Sequence, residues 1–289
     1  MRAVIKVGGT LLDTASDRLR IAGLVARQVR AGHQVLLVHG GGKQLTGFLE
    51  TMGIASEFVD GFRVTTPETL DGVIKVFAGT VNHELLAAFY QAGLPAVGLS
   101  GIDAGSLVAE MLRGEHGQDW GFVGRIKKVN SRAWEALLKA GFLPVVACLA
   151  VGEEGQIYNV NADQAAVACA VHLRAERLVF LTDVDGVRDG QGHALARLGA
   201  EEIPALLRSG VVTGGMLAKL NAVREALAQD IPCVHIRNGH RDDALDGVFV
   251  SGEPSREAVV AGTMITPSLT ASSRDGMCGG HRSEGGYVA

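Results

Sequence analysis

Short apolar runs rich in β-branched residues alternate along the chain with longer amphipathic segments. The runs span residues 3–7, 34–39, 95–99, 143–149, 177–182 and 232–237. Continuous apolar runs of this length are typical of strands buried within a parallel sheet. Because helical segments separate them, the pattern predicts an α/β protein in which right-handed crossovers connect parallel strands.

Local signals sharpen the prediction for two helical segments and for several shorter pieces. Segment 17–31 places apolar residues at helical spacing, and 67–91 begins with Thr66 as a cap and Pro67 at the first helical position. Glycine-bounded, strand-like pieces predict β-hairpins that decorate the ends of the sheet. These pieces are 57–65, 106–111, 121–129 and 150–160.

The absence of long linkers indicates how the chain is divided into domains. No stretch long enough to separate independent domains occurs before residue 266. We therefore predict two fused lobes on one continuous sheet, an N-terminal lobe over 1–173 and a C-terminal lobe over 174–265. Residues 266–289 are poor in large apolar side chains and predict a disordered tail.

Composition and charge narrow the class of protein. The formal net charge is −4, the pI is about 6.1 and no basic run occurs, so neither nucleic acid nor a membrane is expected as a partner. No export leader and no apolar stretch near the roughly 20 residues of a membrane span are found, which indicates a soluble cytoplasmic protein. The 4 cysteines are widely spaced without a CxxC pair, so we expect reduced thiols and no zinc site.

Glycine-rich turns follow the first two predicted strands. Lys6-Val7-Gly8-Gly9 ends the first, and His39-Gly40-Gly41-Gly42-Lys43 ends the second and leads into a helix. Ligands of open α/β sheets bind at the carboxyl ends of strands, where consecutive glycines let backbone N–H groups approach an anion. The turns thus predict a phosphate site, although neither has P-loop or Rossmann spacing and a plain flexible turn remains an alternative.

Several motifs occur in an order that resembles the amino-acid kinase family, and within it the members that phosphorylate N-acetyl-L-glutamate. The resemblance covers roughly residues 3–265, and its most specific part is the pairing of GFRVT with NVNADQ. The motifs are IKVGGTLLD at 5–13, VHGGGK at 38–43, GFRVT at 61–65, YNVNADQAA at 158–166, FLTDVDGV at 180–187 and TGGMLAKLNA at 213–222.

The resemblance implies a fold, two ligands and an assembly. We expect a three-layer α/β fold with an open, mainly parallel sheet between helices. The N-terminal lobe would bind N-acetyl-L-glutamate, the C-terminal lobe would bind ATP, and the N-terminal lobes would pair in a homodimer. Mg²⁺ should be bound mainly through the ATP phosphates and water, so no protein metal ligand is predicted.

The same family pattern implies the catalytic residues. Lys6 and Lys219 would embrace the transferring phosphoryl from opposite lobes, with Asp163 between them, while Gly9 and Gly41 donate backbone N–H groups. Cationic groups and backbone donors are what phosphoryl transfer needs most. Residue chemistry alone leaves simpler alternatives open: an edge lysine at Lys6, a solvated helix lysine at Lys219 and a first-turn helix carboxylate at Asp163.

The remaining site predictions concern binding. Arg63 suits the α-carboxylate of the acyl amino acid because its guanidinium can bind a carboxylate with two hydrogen bonds, and Asn159 offers a donor and an acceptor. Gly41 and Gly42 complete the predicted substrate contacts. The predicted ATP contacts are Lys6, Gly8, Gly9, Thr182, Asp183, Gly214 and Lys219.

No general base is expected, because a carboxylate nucleophile is already ionised at neutral pH. We therefore assign His39 to a supporting position in its turn. Two other functions remain open at this point: a kinase acting on carrier-bound aminoadipate, and a nucleotide-binding regulator without turnover. Since the first strand begins at residue 3 and the segment before Gly262 lacks the arginine-site pattern, inhibition by arginine is not expected.

Overall fold

The computed structural model describes residues 1–114, 117–250 and 262–268. Its main sheet has eight strands in the order β12-β14-β13-β11-β1-β2-β8-β5, and all run parallel except β12 and β14. The strands of this sheet are β1 (Arg2–Val7), β2 (Gln34–His39), β5 (Ala96–Ser100), β8 (Leu143–Ala147), β11 (Arg177–Thr182), β12 (Arg197–Gly199), β13 (Val234–Asn238) and β14 (Gly262–Thr266). Every predicted apolar run therefore supplies a strand.

The helices join these strands. They are α1 (Ala15–Arg30), α2 (Gly42–Thr51), α3 (Pro67–Val73), α4 (Asn82–Gln91), α5 (Arg132–Lys139), α6 (Ala162–His172), α7 (Ile203–Arg208) and α8 (Gly214–Ala228). The predicted helix over 67–91 is continuous, and Thr66 caps it by accepting the Thr69 N–H at 3.2 Å. Its middle, Ile74–Val81, is wound as a π-helix, which the apolar pattern did not predict.

The segments predicted as hairpins form two further sheets beside the main sheet. Strands β6 (Leu107–Arg113), β7 (Asp119–Val129), β9 (Leu149–Val151) and β10 (Ile157–Val160) form a small sheet that closes on itself. A separate hairpin pairs β3 (Phe58–Val59) with β4 (Phe62–Arg63). A bridge between Thr65 and Gly121 ties this hairpin to the closed sheet, so residues of both can reach one site.

Strand β1 lies at the centre of the main sheet, between β2 and β11. Residues Ala3 to Val7 are buried, and Lys6 pairs in register with Val38 on one side and Phe180 on the other. The glycine turns after β1 and β2 therefore emerge side by side at the carboxyl edge of the sheet. Since β1 pairs with β11, the sheet runs unbroken through both predicted lobes.

The predicted boundaries near the C-terminus can be checked only in part. Thr266, the first residue of the predicted tail, belongs to β14 and pairs with Gly199. Residues 269–289, which include Cys278, lie outside the described residues, as does the segment 251–261 before Gly262. Within the described ranges, Cys148, Cys169 and Cys233 are free and buried, and no helix has the length and apolarity to cross a membrane.

Candidate active site

Three charged side chains from three elements meet at the carboxyl edge of the sheet. Asp163 Oδ1 lies 2.9 Å from Lys6 Nζ, and Lys219 Nζ donates a hydrogen bond to Asp163 Oδ2 at 3.1 Å. Lys6 comes from β1, Asp163 from the first turn of α6 and Lys219 from the second turn of α8. All three are less than 10% exposed, at 8%, 7% and 9%. The alternatives of an edge lysine at Lys6 and a solvated helix lysine at Lys219 do not describe this arrangement, whereas Asp163 does lie in the first turn of its helix.

Burial and the neighbouring charges shift the pKa values of Asp163 and Lys219. Burial alone raises the pKa of Asp163, but the ammonium groups of Lys6 and Lys219 outweigh burial and hold that pKa below its usual value. Burial and repulsion from Lys6 lower the pKa of Lys219, while Asp163 opposes them. Two ammonium groups held close to one carboxylate carry a net positive charge, which suits an incoming phosphoryl group.

A cavity of about 490 Å³ opens beside the lysines, within the range of small-molecule sites. Lys6, Gly8, Gly9, Thr182, Asp183 and Lys219 line it, as the sequence predicts for ATP contacts. Gly214, which was also predicted, does not line it, although its neighbours Thr213 and Gly215 do. The other lining residues were not predicted as contacts. Val184, Gly186 and Met216 lie within quoted motifs but were given no role, and Arg188, Val211 and Val212 lie outside the motifs.

The glycine turns bring free backbone donors to this edge. The N–H groups of Gly9 and Gly41 have no hydrogen-bond partner among the described residues. Gly41 is the N-cap of α2 and has no side chain to cap it, so the start of this helix is open to an anion. A Cβ on Gly8 would lie 2.4 Å from Lys6 Nζ, which explains why the position beside the ammonium group is a glycine.

Arg63 is a buried cation, 9% exposed, and no acidic side chain among the described residues pairs with it. Its guanidinium donates to the Gly42 carbonyl at 3.0 Å and to Thr46 Oγ1 at 2.7 Å, bonds Ser56 Oγ as well, and lies 4.5 Å from the centre of the Phe58 ring. No carboxylate of the described residues lies within 4.0 Å of it. A buried guanidinium without a carboxylate partner is chemically suited to an anionic ligand.

Asn159, on strand β10 of the closed sheet, is linked to Arg63 through the hydroxyl of Thr65. Its Nδ2 donates to Thr65 Oγ1 at 3.2 Å, and the Thr65 hydroxyl donates to the Arg63 carbonyl at 2.9 Å. Both predicted substrate residues therefore lie beside the hairpin β3–β4 and the start of α2. Thr65 was not predicted as part of this network, because its role depends on the long-range bridge to Gly121.

His39, for which we predicted a supporting position in its turn, is wholly buried. Its Nδ1 lies 2.8 Å from the Gly40 carbonyl oxygen and its Nε2 lies 2.9 Å from Asn82 Nδ2. Burial lowers the pKa of His39 to about 4, so the ring is neutral at physiological pH. Asn82 was also missed by the sequence reasoning, because a polar residue within a helical run gives no sign of facing inward.

Comparison with known proteins identifies the protein family to which the chain belongs. The model of the amino acid kinase family matches residues 1–238, and this chain belongs to that family. Among its relatives, the acetylglutamate kinase of Solibacter usitatus is 48% identical over 261 residues, which cover 90% of this chain and 100% of the relative. The acetylglutamate kinase of Methanopyrus kandleri is 45% identical over 78% of this chain and 89% of the relative. The predicted resemblance is thereby confirmed.

Solved structures confirm the predicted fold class. The N-acetylglutamate synthase from Neisseria gonorrhoeae, complexed with coenzyme A and N-acetyl-glutamate, superposes with a TM-score of 0.80 at 27% identity over 93% of this chain. This chain spans about 60% of the length of that synthase. An isopentenyl phosphate kinase shares the fold at a TM-score of 0.58 and 21% identity, covering 92% of this chain and 100% of its own.

Proposed function

We propose that this chain catalyses transfer of the γ-phosphoryl group of ATP to the side-chain carboxylate of N-acetyl-L-glutamate, which yields N-acetyl-L-glutamyl 5-phosphate. The observation that carries this proposal is the buried Lys6–Asp163–Lys219 group, whose two lysines line a nucleotide-sized cavity. Arg63, which forms no ion pair with a carboxylate of the described residues, donates to the Gly42 carbonyl in the second glycine turn. The acetylglutamate kinase relatives support the same activity, which belongs to arginine biosynthesis. These relatives do not support the two alternative functions, a kinase that acts on carrier-bound aminoadipate and a nucleotide-binding regulator without turnover.

The reaction uses charges that the site already holds. A carboxylate oxygen of the substrate attacks the γ-phosphorus, and the bond from this phosphorus to the bridging oxygen of the β-phosphate breaks, so ADP leaves with the electron pair. Lys6 and Lys219 stabilise charge on the transferring group, with Gly9 and Gly41 donating N–H bonds. Asp163 keeps the two ammonium groups in place before the substrates bind.

Arg63 and Asn159 provide substrate recognition in this proposal. The guanidinium, which forms no ion pair with a carboxylate of the described residues, would bind the α-carboxylate of the substrate. Asn159 would bind the α-carboxylate or the acetamido group. N-acetylation removes the α-ammonium charge, so no acidic partner for that group is needed. This agrees with the absence of a carboxylate near Arg63 among the described residues.

Magnesium would enter with the nucleotide. The described residues contain no cluster of three or more His, Cys, Asp or Glu side chains suited to a metal. Mg²⁺ binds readily to nucleotide phosphates and retains several waters, which fits a cavity whose lining, among the described residues, includes one aspartate as its only carboxylate. Bound in this way, the ion would neutralise charge on the phosphates of ATP.

We also propose a homodimer formed through the N-terminal lobes. Strand β5 pairs on one side only among the described strands, so a row of its backbone groups is available to a second copy. Tyr90 of the adjacent helix α4 is 85% exposed and provides apolar surface beside this edge. Light scattering should give twice the chain mass of 30.2 kDa, and a monomer would contradict this assembly.

Substrate competition tests the proposed activity. N-acetyl-L-glutamate should be phosphorylated with a much higher kcat/KM than L-glutamate or L-aspartate, because only the acylated substrate lacks a cation to desolvate. The three values are measured by coupled detection of ADP at fixed MgATP. A preference for free glutamate would contradict the proposal.

A further inference from the structure

The peptide between Gly40 and Gly41 is held in one orientation by a buried side chain. The Gly40 carbonyl points inward to His39 Nδ1 at 2.8 Å, at the end of β2. The carbonyl and the N–H of a trans peptide point in opposite directions. The Gly41 N–H therefore points away from His39, and it has no hydrogen-bond partner among the described residues.

Asn82 determines which nitrogen of His39 carries the proton. Its Nδ2 lies 3.0 Å from the Val145 carbonyl oxygen and 2.9 Å from His39 Nε2. Because a carbonyl oxygen can only accept, the Asn82 atom facing it must be the amide nitrogen, which only donates. His39 Nε2 is then the acceptor, so the proton resides on Nδ1 and is donated to Gly40.

The position of Asn82 is set by its place at the start of α4 and by its contact with Gly98 of strand β5. Asn82 is the first residue of α4, directly after the π-helix, and a Cβ on Gly98 would lie 2.0 Å from its Oδ1. The same helical segment packs on the turn, since a Cβ on Gly41 would lie 3.0 Å from Phe77 Cδ1 and 3.1 Å from Val81 Cγ2. One rigid segment thus contacts both the glycine turn and the histidine beneath it.

We propose that Asn82 and His39 are positioning residues that aim the Gly41 N–H at the transferring phosphoryl group. This inference rests on the proposed function for the role of Gly41, but the hydrogen-bond chain itself is independent of substrate. Asn82 donates to His39 Nε2 and so favours the Nδ1–H tautomer. His39 Nδ1–H then holds the Gly40 carbonyl by a hydrogen bond, and the planar peptide fixes the direction of the Gly41 N–H. A misplaced donor loses transition-state stabilisation while nucleotide binding in the separate cavity continues.

Kinetics of paired variants test this role. His39→Leu removes the donor and should lower kcat about 10–100-fold with little change in KM for ATP. His39→Asn places an amide N–H near the position of Nδ1 and should keep most of the wild-type kcat. His83→Leu is a matched control, because His83 Nδ1 also lies 2.8 Å from a backbone carbonyl, that of Gly79, but on an exposed surface. Unchanged kcat in His39→Leu, or equal losses in both His39 variants, would overturn the proposal.

The tautomer can be measured without any turnover. In protein labelled with ¹⁵N-histidine, long-range proton–nitrogen correlation spectra should show His39 protonated on Nδ1, with Asn82→Leu shifting it toward the Nε2–H form. A wild-type His39 protonated on Nε2 would overturn the positioning role. If the wild type does not phosphorylate N-acetyl-L-glutamate, the proposed function fails, and the spectra still decide whether this hydrogen-bond chain exists.

Discussion

At the scale of single residues, Asp163 combines two functions that the sequence presented as alternatives. It lies in the first turn of α6, where Asn161 caps the helix by accepting the Asp163 N–H at 2.9 Å, and it also binds both lysines. The helix start and the NVNADQ motif were readable in the sequence. The contact with Lys219 was readable only through the family resemblance, because it joins residues 56 positions apart.

Asp163→Asn should lower kcat by about 10²–10³, or roughly 3–4 kcal/mol, by analogy with loss of a preorganised electrostatic group. The amide keeps the shape but cannot balance two ammonium groups, so both lysines should leave the position required in the transition state. Both KM values should change little. Steady-state kinetics are compared with the melting temperature, and a lowered melting temperature with normal kcat would show that Asp163 serves only the helix.

The activity should also decline at alkaline pH in a way that depends on Asp163. Burial and Lys6 lower the pKa of Lys219, so its ammonium loses its proton as pH rises through a value below 10.5, and kcat/KM for ATP should fall there. Asp163 stabilises the protonated form, so Asp163→Asn should move this decline to lower pH. Profiles of kcat/KM against pH for both proteins measure the effect, and a shift to higher pH would contradict it.

At the scale of elements, strands were easier to predict than the way in which short pieces assemble. Each apolar run became a strand of the main sheet, because burial on both faces demands continuous apolar sequence. The closed sheet of β6, β7, β9 and β10 was not predicted, since its pairings join distant hairpins. The π-helix over Ile74–Val81 was also missed, because the mostly apolar sequence IKVFAGTV gives no period that separates a π-helix from an α-helix.

The turn after β1 should be sensitive to the size of one residue. Gly8→Ala puts a Cβ where the Lys6 ammonium lies, 2.4 Å from Nζ, so the flexible lysine must move while the strand stays intact. We expect a loss of kcat with little change in melting temperature. Gly23→Ala in α1 is the control, because a Cβ there meets nothing within 4 Å and should leave kcat unchanged. Equal kinetics for the two variants would contradict this account of Gly8.

The hairpin β3–β4 and the first turn of α2 meet at Arg63. Arg63→Lys keeps the charge but loses the planar fork, so KM for N-acetyl-L-glutamate should rise about tenfold or more while KM for ATP stays unchanged. Arg125→Lys offers a matched control, because Arg125 pairs with Glu110 on the exposed side of the closed sheet. A loss confined to kcat would mean that Arg63 acts in the chemical step instead.

At the scale of the whole molecule, the order of motifs predicted the family, and the continuous sheet explains why the motifs meet. Parallel strands β1, β2 and β11 bring their carboxyl ends to one edge, so the turns after β1 and β11, far apart in sequence, line one cavity. The division into lobes near residue 173 stays a prediction. Contacts that depend on a buried polar network, such as Asn82 with His39, could not be predicted from a single sequence.

The central claim is transfer of a phosphoryl group to the side-chain carboxylate of N-acetyl-L-glutamate, and trapping of the product tests it most directly. The acyl phosphate reacts with hydroxylamine to give a γ-hydroxamate that mass spectrometry identifies. With MgATP and N-acetyl-L-glutamate, the wild type should form one N-acetyl-L-glutamyl γ-hydroxamate for each ADP released, and Asp163→Asn should form it far more slowly. Release of ADP without hydroxamate, or faster formation of hydroxamate from free L-glutamate, would contradict the account.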